Sequence, residues 1–250
     1  DNVGRISEII SSTDSVAGDD LYLSIDADLQ KATYLALQNE IAAIVYSNIK
    51  SGEIPINDVY TALIGNSVIN IEHFSKAKAS DTEKNVLSVF KSRQKTTLGK
   101  IKQELTSSPE ALNTMSDEVL DEFTYIISML KDDQVLLKNE IDTSDSVYQK
   151  WKNQKISPKE YLSYCITQHW IDISQLNVDE KYADSTEVYD ALCKYILKNI
   201  KTDTEFSKII YQYMITRGEI SPRQLCLILF DQGVLDYDDA TVNKLKNGSL

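Results

Sequence analysis

Serine and lysine residues at two places in the chain have the spacing of an acyl-transfer site. Ser47 and Lys50 form one S-x-x-K tetrad, Ser92 and Lys95 form another, and residues 50–52 match K-[ST]-G. One class of enzymes that acylate a serine uses both motifs, on separate structural elements. Here Lys50 would have to serve in both, and the triplet would need an inner strand of a sheet that this sequence does not predict. We therefore interpret the matches as coincidental and predict no catalytic residue.

Histidine and cysteine residues do not form a recognisable site either. His73 and His169 are the chain's two histidines, and the cysteines, Cys165, Cys193 and Cys226, are far apart with no C-x-x-C. Because a structural zinc site needs clustered Cys or His, we predict no metal site. We interpret the cysteines as partly buried apolar residues. The H-E-x-x-H, G-x-S-x-G and phosphate-loop motifs are missing too, so we predict no cofactor.

The charge and composition of the chain exclude several classes of protein. Its 26 Lys and Arg against 38 Asp and Glu give a net charge of −12, which repels nucleic acid. Adjacent carboxylates such as Asp132 and Asp133 are expected in so acidic a chain and do not indicate a glycosidase acid/base pair. Only 8 Gly and 4 Pro among 250 residues disfavour a many-stranded or nucleotide-binding fold. A helical protein remains.

Apolar periodicity predicts an irregular multi-helix bundle with one strand before it. Residues 21–25 alternate in the manner of a strand, and Asp26 follows as the cap of a helix that runs to about residue 49. The other predicted helices cover about 56–64, 67–79, 81–105, Ser116 to Leu137, 145–154, 158–170, 185–200, 203–217, 222–231 and 238–247. The predicted fold class is therefore mainly α, with one N-terminal β-strand.

Opposite charges distinguish two long predicted helices that follow each other in the chain, 81–105 and Ser116 to Leu137. Residues 76–102 hold eight basic and two acidic side chains, whereas residues 117–145 hold nine acidic and two basic ones. A short loop joins them, so the pattern predicts an antiparallel hairpin with the opposite charges facing. The alternative is that the basic helix binds an anionic partner.

Two predicted helices begin with the same sequence motif. In Ile156-Ser157-Pro158 and Ile220-Ser221-Pro222, serine is a predicted N-cap and proline occupies the first helical position. Glu160 and Gln224 stand three residues after the serines, which predicts a capping box at each start. These motifs are helix starts and not catalytic motifs.

The beginning of the chain carries a fixed order of residues. Gly4-Arg5 is followed by a spacer and then by GDDLYLSIDADLQ over residues 18–30. This order resembles the G-R, spacer, G-x-D-[LV]-x-L-T-I-D-x-x-L-Q pattern of class B penicillin-binding proteins, with Ser24 in place of the usual Thr. In that family the stretch closes a non-catalytic pedestal and leads to the transpeptidase domain. Residues 229–235 and the preceding helices resemble an insert of Gram-positive, clostridial-type members.

The resemblance implies two domains and a function. Residues 1–25 would be the end of the pedestal with its strand, and residues 26–250 a helical insert that ends before the catalytic serine. The chain would then be a non-catalytic fragment of a peptidoglycan D,D-transpeptidase, outside the membrane, whose parent is anchored by a transmembrane helix absent from this chain. The implied partners are the catalytic domain of the same parent and a membrane glycan polymerase or another cell-wall synthesis protein.

Two rival functions remain open from the sequence. A free-standing helical interaction module would capture peptides or partner helices in a groove. An enzyme of unknown type is the other. A strand in residues 1–25 with no sheet to join would favour the excised fragment, because a lone strand is not stable.

Overall fold

A computed structural model of the chain describes residues 18, 26–48, 54–107, 110–179 and 183–249. Within these ranges the backbone is mainly helical and contains no strand. An isolated antiparallel bridge joins Leu136 and Ile171. The mainly α fold class is confirmed, whereas the predicted strand at residues 21–25 lies outside the described residues.

The helices of the described ranges follow the predicted order closely. The α-helices are α1 (Ala27–Asn48), α2 (Ile56–Gly65), α3 (Asp81–Thr106), α4 (Asp117–Asp132), α5 (Ser146–Lys152), α6 (Pro158–Thr167), α7 (Ser185–Ile200), α8 (Thr204–Thr216), α9 (Pro222–Asp231) and α10 (Asp239–Asn247). Short 3-10 helices cover Ile71–Ser75, Leu112–Thr114 and Ile173–Gln175.

The chain divides into two units, Asp1–Glu53 and Ile54–Leu250. The predicted domain boundary between residues 25 and 26 falls inside the first unit, whose described helix is α1. Asp26 begins this helix as predicted, because its Oδ1 accepts hydrogen bonds from the backbone N–H groups of Asp28 (2.9 Å) and Leu29 (3.0 Å).

The second unit is organised around α8, which packs against α2, α3 and α4. The apolar side of α8 is fully buried and consists of Phe206, Ile210, Tyr211 and Met214. Tyr211 joins two other aromatic rings: Phe90 of α3 stacks on it with ring centroids 4.2 Å apart, and Phe74 meets it edge-on at 5.6 Å. Such pairs add to the free energy of burial by about 0.5–1.5 kcal/mol each.

The predicted α3–α4 hairpin is not how these helices pack. The more extensive backbone contacts of α3 are with α6, α7, α8, α9 and the 3-10 helix Ile71–Ser75, and those of α4 are with α7, α8 and the 3-10 helix Leu112–Thr114. Opposite charges of the two helices nevertheless meet where Arg93 of α3 pairs with Glu118 of α4. Since α7 and α8 offer apolar stripes to both helices, burial against them determines the packing.

Three predicted helix boundaries are wrong, each at a turn residue. The helix expected over 67–79 is reduced to a 3-10 turn, because Ser67 adopts a left-handed φ of 56° and the Asn70 side chain caps Glu72 N–H. The helix expected to reach Leu137 ends at Asp132, ahead of a left-handed Gln134. The helix expected to reach residue 170 ends at Thr167, ahead of a left-handed His169.

The two Ser-Pro starts differ from each other. At α9 the predicted capping box is complete, since Gln224 N–H donates to Ser221 Oγ and Ser221 N–H donates to Gln224 Oε1. At α6, Ser157 Oγ accepts from Glu160 N–H at 3.1 Å, but the Glu160 carboxylate does not accept the reciprocal hydrogen bond from Ser157 N–H that would complete a box. The predicted box at Ser157 is therefore wrong, although the serine cap is confirmed.

Candidate functional site

The S-x-x-K residues that the structure describes do not form a nucleophilic site. Ser92 and Lys95 lie on the exposed surface of α3, and the Ser92 hydroxyl donates to Ser88 O of its own helix at 3.5 Å. Ser47 lies in the last turn of α1, and its partner Lys50 lies outside the described residues. Neither Ser92 nor Lys95 lines any of the three grooves described below.

The two histidines occupy unrelated positions. His73 Nδ1 lies 2.8 Å from Glu83 Oε1, inside a hydrogen-bond network at the start of α3. His169 is exposed at the end of α6 with a φ of 57°. Among the described residues, no group of three His, Cys, Asp or Glu side chains could hold a metal ion.

The cysteine thiols are free and two of them are buried. Burial raises the pKa of Cys165 to about 12 and that of Cys193 to about 11. Both therefore remain protonated at neutral pH, and the thiol is a much weaker nucleophile than the thiolate. Cys226 is half-buried.

One cluster of charged side chains joins two buried glutamates to less buried partners; we call it the acid–arginine cluster, formed by Arg93, Glu118, Glu122, Arg217 and Glu219. Arg93 Nη2 donates to both carboxylate oxygens of Glu118, at 2.7 and 2.9 Å, and Arg217 Nη2 donates to Glu118 Oε2. Arg93 Nη1 lies 3.6 Å from Glu219 Oε1. Glu118 is thus a buried anion between two guanidinium groups, which compensates the loss of its hydration.

Glu122 lies one helical turn after Glu118 and is 2% exposed. Burial, reinforced by the negative charge of Glu118, raises the pKa of Glu122 to about 8, although Lys100, Arg93 and Arg217 oppose the shift. The side chain is therefore mostly a neutral acid at pH 7. A carboxyl group of this kind is a candidate general acid where it adjoins a substrate cavity.

Three grooves of the second unit lie elsewhere. One of about 630 Å³ runs along α7, another of about 340 Å³ lies between α4 and α5, and a third of about 420 Å³ lies beside the 3-10 helix Ile71–Ser75. None of the three is lined by Glu118, Glu122, Glu83 or His73. The perturbed carboxyl groups and these grooves do not coincide, so the acid–arginine cluster is best explained as a packing element.

The groove between α4 and α5 has the side chains of a binding surface. Its lining includes three aliphatic residues, two aromatic residues and two lysines: Leu112, Leu120, Ile127, Tyr148, Trp151, Lys131 and Lys152. We call it the α4–α5 groove. Sequence reasoning missed it because α4 and α5 are separated by a loop whose path no local motif specifies.

Sequence reasoning also missed the acid–arginine cluster in detail. The opposite charges of the α3 and α4 segments gave a signal for the pairing of Arg93 with Glu118. Arg217 follows α8 and Glu219 precedes α9, and no pattern of spacing connected either residue with α4.

Comparisons with known proteins add no relationship. No protein-family model matches the sequence, and neither curated proteins nor solved structures gave a match. No helix among the described residues combines the length and apolarity needed to cross a bilayer.

Proposed function

We propose that this chain is a non-catalytic helical part of a cell-wall D,D-transpeptidase of the class B penicillin-binding type. In this proposal the helices hold the catalytic domain of the same parent protein in position on the outer side of the membrane, and a membrane glycan polymerase is a further partner. The support is the residue order over 18–30 and the helix that follows it.

The observation that carries the proposal is the apolar surface of α1. Leu29, Tyr34, Leu35, Leu37 and Ile41 are between 47% and 66% exposed. Because two residues turn an α-helix by roughly 200°, Leu35 and Leu37 lie on nearly opposite sides. A helix that is apolar on several sides is typically buried on several sides. The proposed cover for α1 is the catalytic domain of the parent.

The acyl-transfer chemistry of the proposed parent would reside outside this chain. This agrees with the exposed position of Ser92 and with the separation of the perturbed carboxyl groups from the grooves described above. In this proposal the helical unit acts mechanically, as a packed body that spaces or orients the catalytic domain of the parent protein.

The proposal is tested with a labelled β-lactam and two lengths of the natural protein. We expect covalent labelling of a longer product that continues past Leu250 into a Gly-rich strand and a further S-x-x-K, and no labelling of the 250-residue chain. Stoichiometric labelling of the short chain at Ser47 or Ser92 would contradict the proposal, as would a natural coding sequence without such a continuation.

A pair of variants tests the role of α1 separately. Leu37→Ser should lower the Tm of the longer protein and leave that of the 250-residue chain unchanged, because the cover is present only in the former. Gln38→Ser, at the neighbouring exposed position, is the control and should change neither. If Leu37→Ser had no effect in the longer protein, the free-standing interaction module would be the better explanation of the chain.

A further inference from the structure

The α4–α5 groove is built by residues at helical spacing. Leu120, Thr124, Ile127, Ser128 and Lys131 recur at three- and four-residue steps, so they lie along one side of α4. Tyr148, Trp151 and Lys152 form the facing side of α5 in the same way. The result is a concave surface with an apolar centre and hydroxyl groups beside it.

Several contacts keep the groove in shape without a ligand. The 3-10 helix Leu112–Thr114 is tied to the segment after α5, since Leu112 N–H donates to Ile156 O (3.1 Å) and Asn113 N–H donates to Gln154 O (2.9 Å). The Trp151 ring stacks on buried Tyr161, with centroids 4.5 Å apart and the planes 5° from parallel. A preformed groove loses little conformational entropy on binding.

The charge of the groove is opposite to that of the protein. Lys131 and Lys152 lie in the last turns of α4 and α5, and neither forms an ion pair with another described residue. Lysines at these positions also stabilise the helix dipoles, but that leaves their ammonium groups available. The lining of the groove contains two lysines and no acidic side chain, in a chain of net charge −12.

We propose that the α4–α5 groove binds an acidic peptide segment. An aliphatic side chain of the peptide packs on Leu120 and Ile127 against Trp151, and carboxylates next to it in the peptide pair with Lys131 and Lys152. This inference goes beyond the proposed function and does not depend on the identity of the parent.

A peptide fits the groove better than other anions do. An anionic membrane or a nucleic acid presents a large charged surface, which the net charge of −12 repels. A peptide can bring one or two carboxylates next to the lysines of the groove and pack an apolar side chain against its apolar residues. The volume of about 340 Å³ lies within the usual range for small-ligand sites.

The first test is titration with two short probes that differ only in charge. N-acetyl-Leu-Glu-Glu-amide should shift the emission of Trp151 and bind with a Kd on the order of 0.1–1 mM, as expected for a ligand of this size. N-acetyl-Leu-Gln-Gln-amide should bind at least severalfold more weakly. The second tryptophan, Trp170, is buried and does not line the groove, so Trp151→Phe should abolish the change in emission.

Variants then assign the effect to the groove. Lys131→Gln combined with Lys152→Gln should weaken the acidic probe by about fivefold, the usual worth of two exposed charge pairs, and leave the neutral probe unchanged. Lys91→Gln combined with Lys95→Gln removes the same charge from exposed positions on α3 and should change neither affinity. Tm values of both double variants confirm that they fold.

Several results would overturn the inference. In the titration, they are failure of the acidic probe to bind at several millimolar and equal affinity of the chain for the two probes. In the later experiments, they are a control double variant that weakens binding as much as the groove variant does, and amide chemical-shift changes that are centred outside the α4–α5 groove. Stronger binding of the chain to phosphatidylglycerol vesicles than to the peptide would identify a lipid surface instead and would also reject the proposal.

Discussion

The beginnings of α3 and α4 bury the same kind of residue in opposite ways. Each helix starts after a serine, Ser80 or Ser116, and each has a buried glutamate in its first turn, Glu83 or Glu118. At α3 the carboxylate is held by neutral donors and one histidine. At α4 it is held by two arginines, and a second buried glutamate, Glu122, lies one turn later.

The α3 site keeps its carboxylate charged despite complete burial. Burial raises the pKa of Glu83, but hydrogen bonds from the Gln232 side chain (2.7 Å), Ser80 N–H (2.7 Å) and His73 (2.8 Å) outweigh it and hold the pKa below its usual value. At α4 burial and the charge of Glu118 raise the pKa of Glu122. The lesson is that the set of donors, more than the depth of burial, determines the charge of a buried carboxyl group.

The largest expected effect is the removal of the central anion of the acid–arginine cluster. Glu118→Ala should lower the free energy of unfolding by about 3–5 kcal/mol, because it leaves the mostly buried Arg93 without its carboxylate. Asp117→Ala, the exposed neighbour in the same turn, should cost about 0.5 kcal/mol through the helix dipole. Urea unfolding of both variants measures the difference, and equal losses would show that the cluster contributes no special stability.

The pH dependence of stability should differ between the two sites, with the larger effect at Glu122. Its pKa in the folded protein is about 8, against a usual value of 4.5, so its contribution to stability is fully present below pH 4.5 and is lost as the pH rises towards 8. Between pH 5 and 8 the wild type should lose about 2–4 kcal/mol more than Glu122→Gln, which stays neutral. Unfolding curves at four pH values test this. Parallel curves would mean that Glu122 titrates normally.

Glu83→Gln should have a smaller effect and the opposite pH dependence. The variant turns an amide N–H towards donors that need an acceptor, which should cost about 2 kcal/mol at pH 7. Because the pKa of Glu83 is lowered, its contribution to the free energy of unfolding is present above pH 4.5 and is lost as the pH falls below that value. The Glu83→Gln variant should not show this loss of stability at low pH.

Glu187 supplies the control for Glu83→Gln. It occupies the same third helical position in the capping box of α7 but is exposed. Glu187→Gln should cost less than about 0.5 kcal/mol, since water replaces any lost hydrogen bond. A cost equal to that of Glu83→Gln would assign the effect to the capping box and not to the buried network.

The same two helix starts show what the sequence could and could not predict. Local signals placed both helices, because apolar periodicity and capping depend on residues three or four apart. The pairing of Glu83 with Gln232 depends on a contact across 149 positions. Likewise, complementary charge suggested that α3 and α4 attract each other, but apolar stripes on α7 and α8 decided the packing. Long-range geometry therefore limited the prediction of the α4–α5 groove and of both buried networks.

The smallest expected effect separates the caps themselves. Ser80 Oγ accepts from Glu83 N–H at 3.2 Å, whereas the Ser116 side chain makes no capping hydrogen bond. Ser80→Ala should therefore lower the free energy of unfolding by about 1 kcal/mol, and Ser116→Ala should change it by less than about 0.3 kcal/mol. Urea unfolding at pH 7 measures both. If the two substitutions cost the same, the serine hydroxyl would not distinguish the two starts. The low pKa of Glu83 would then depend on Gln232, His73 and the backbone N–H of Ser80, which the alanine variant retains.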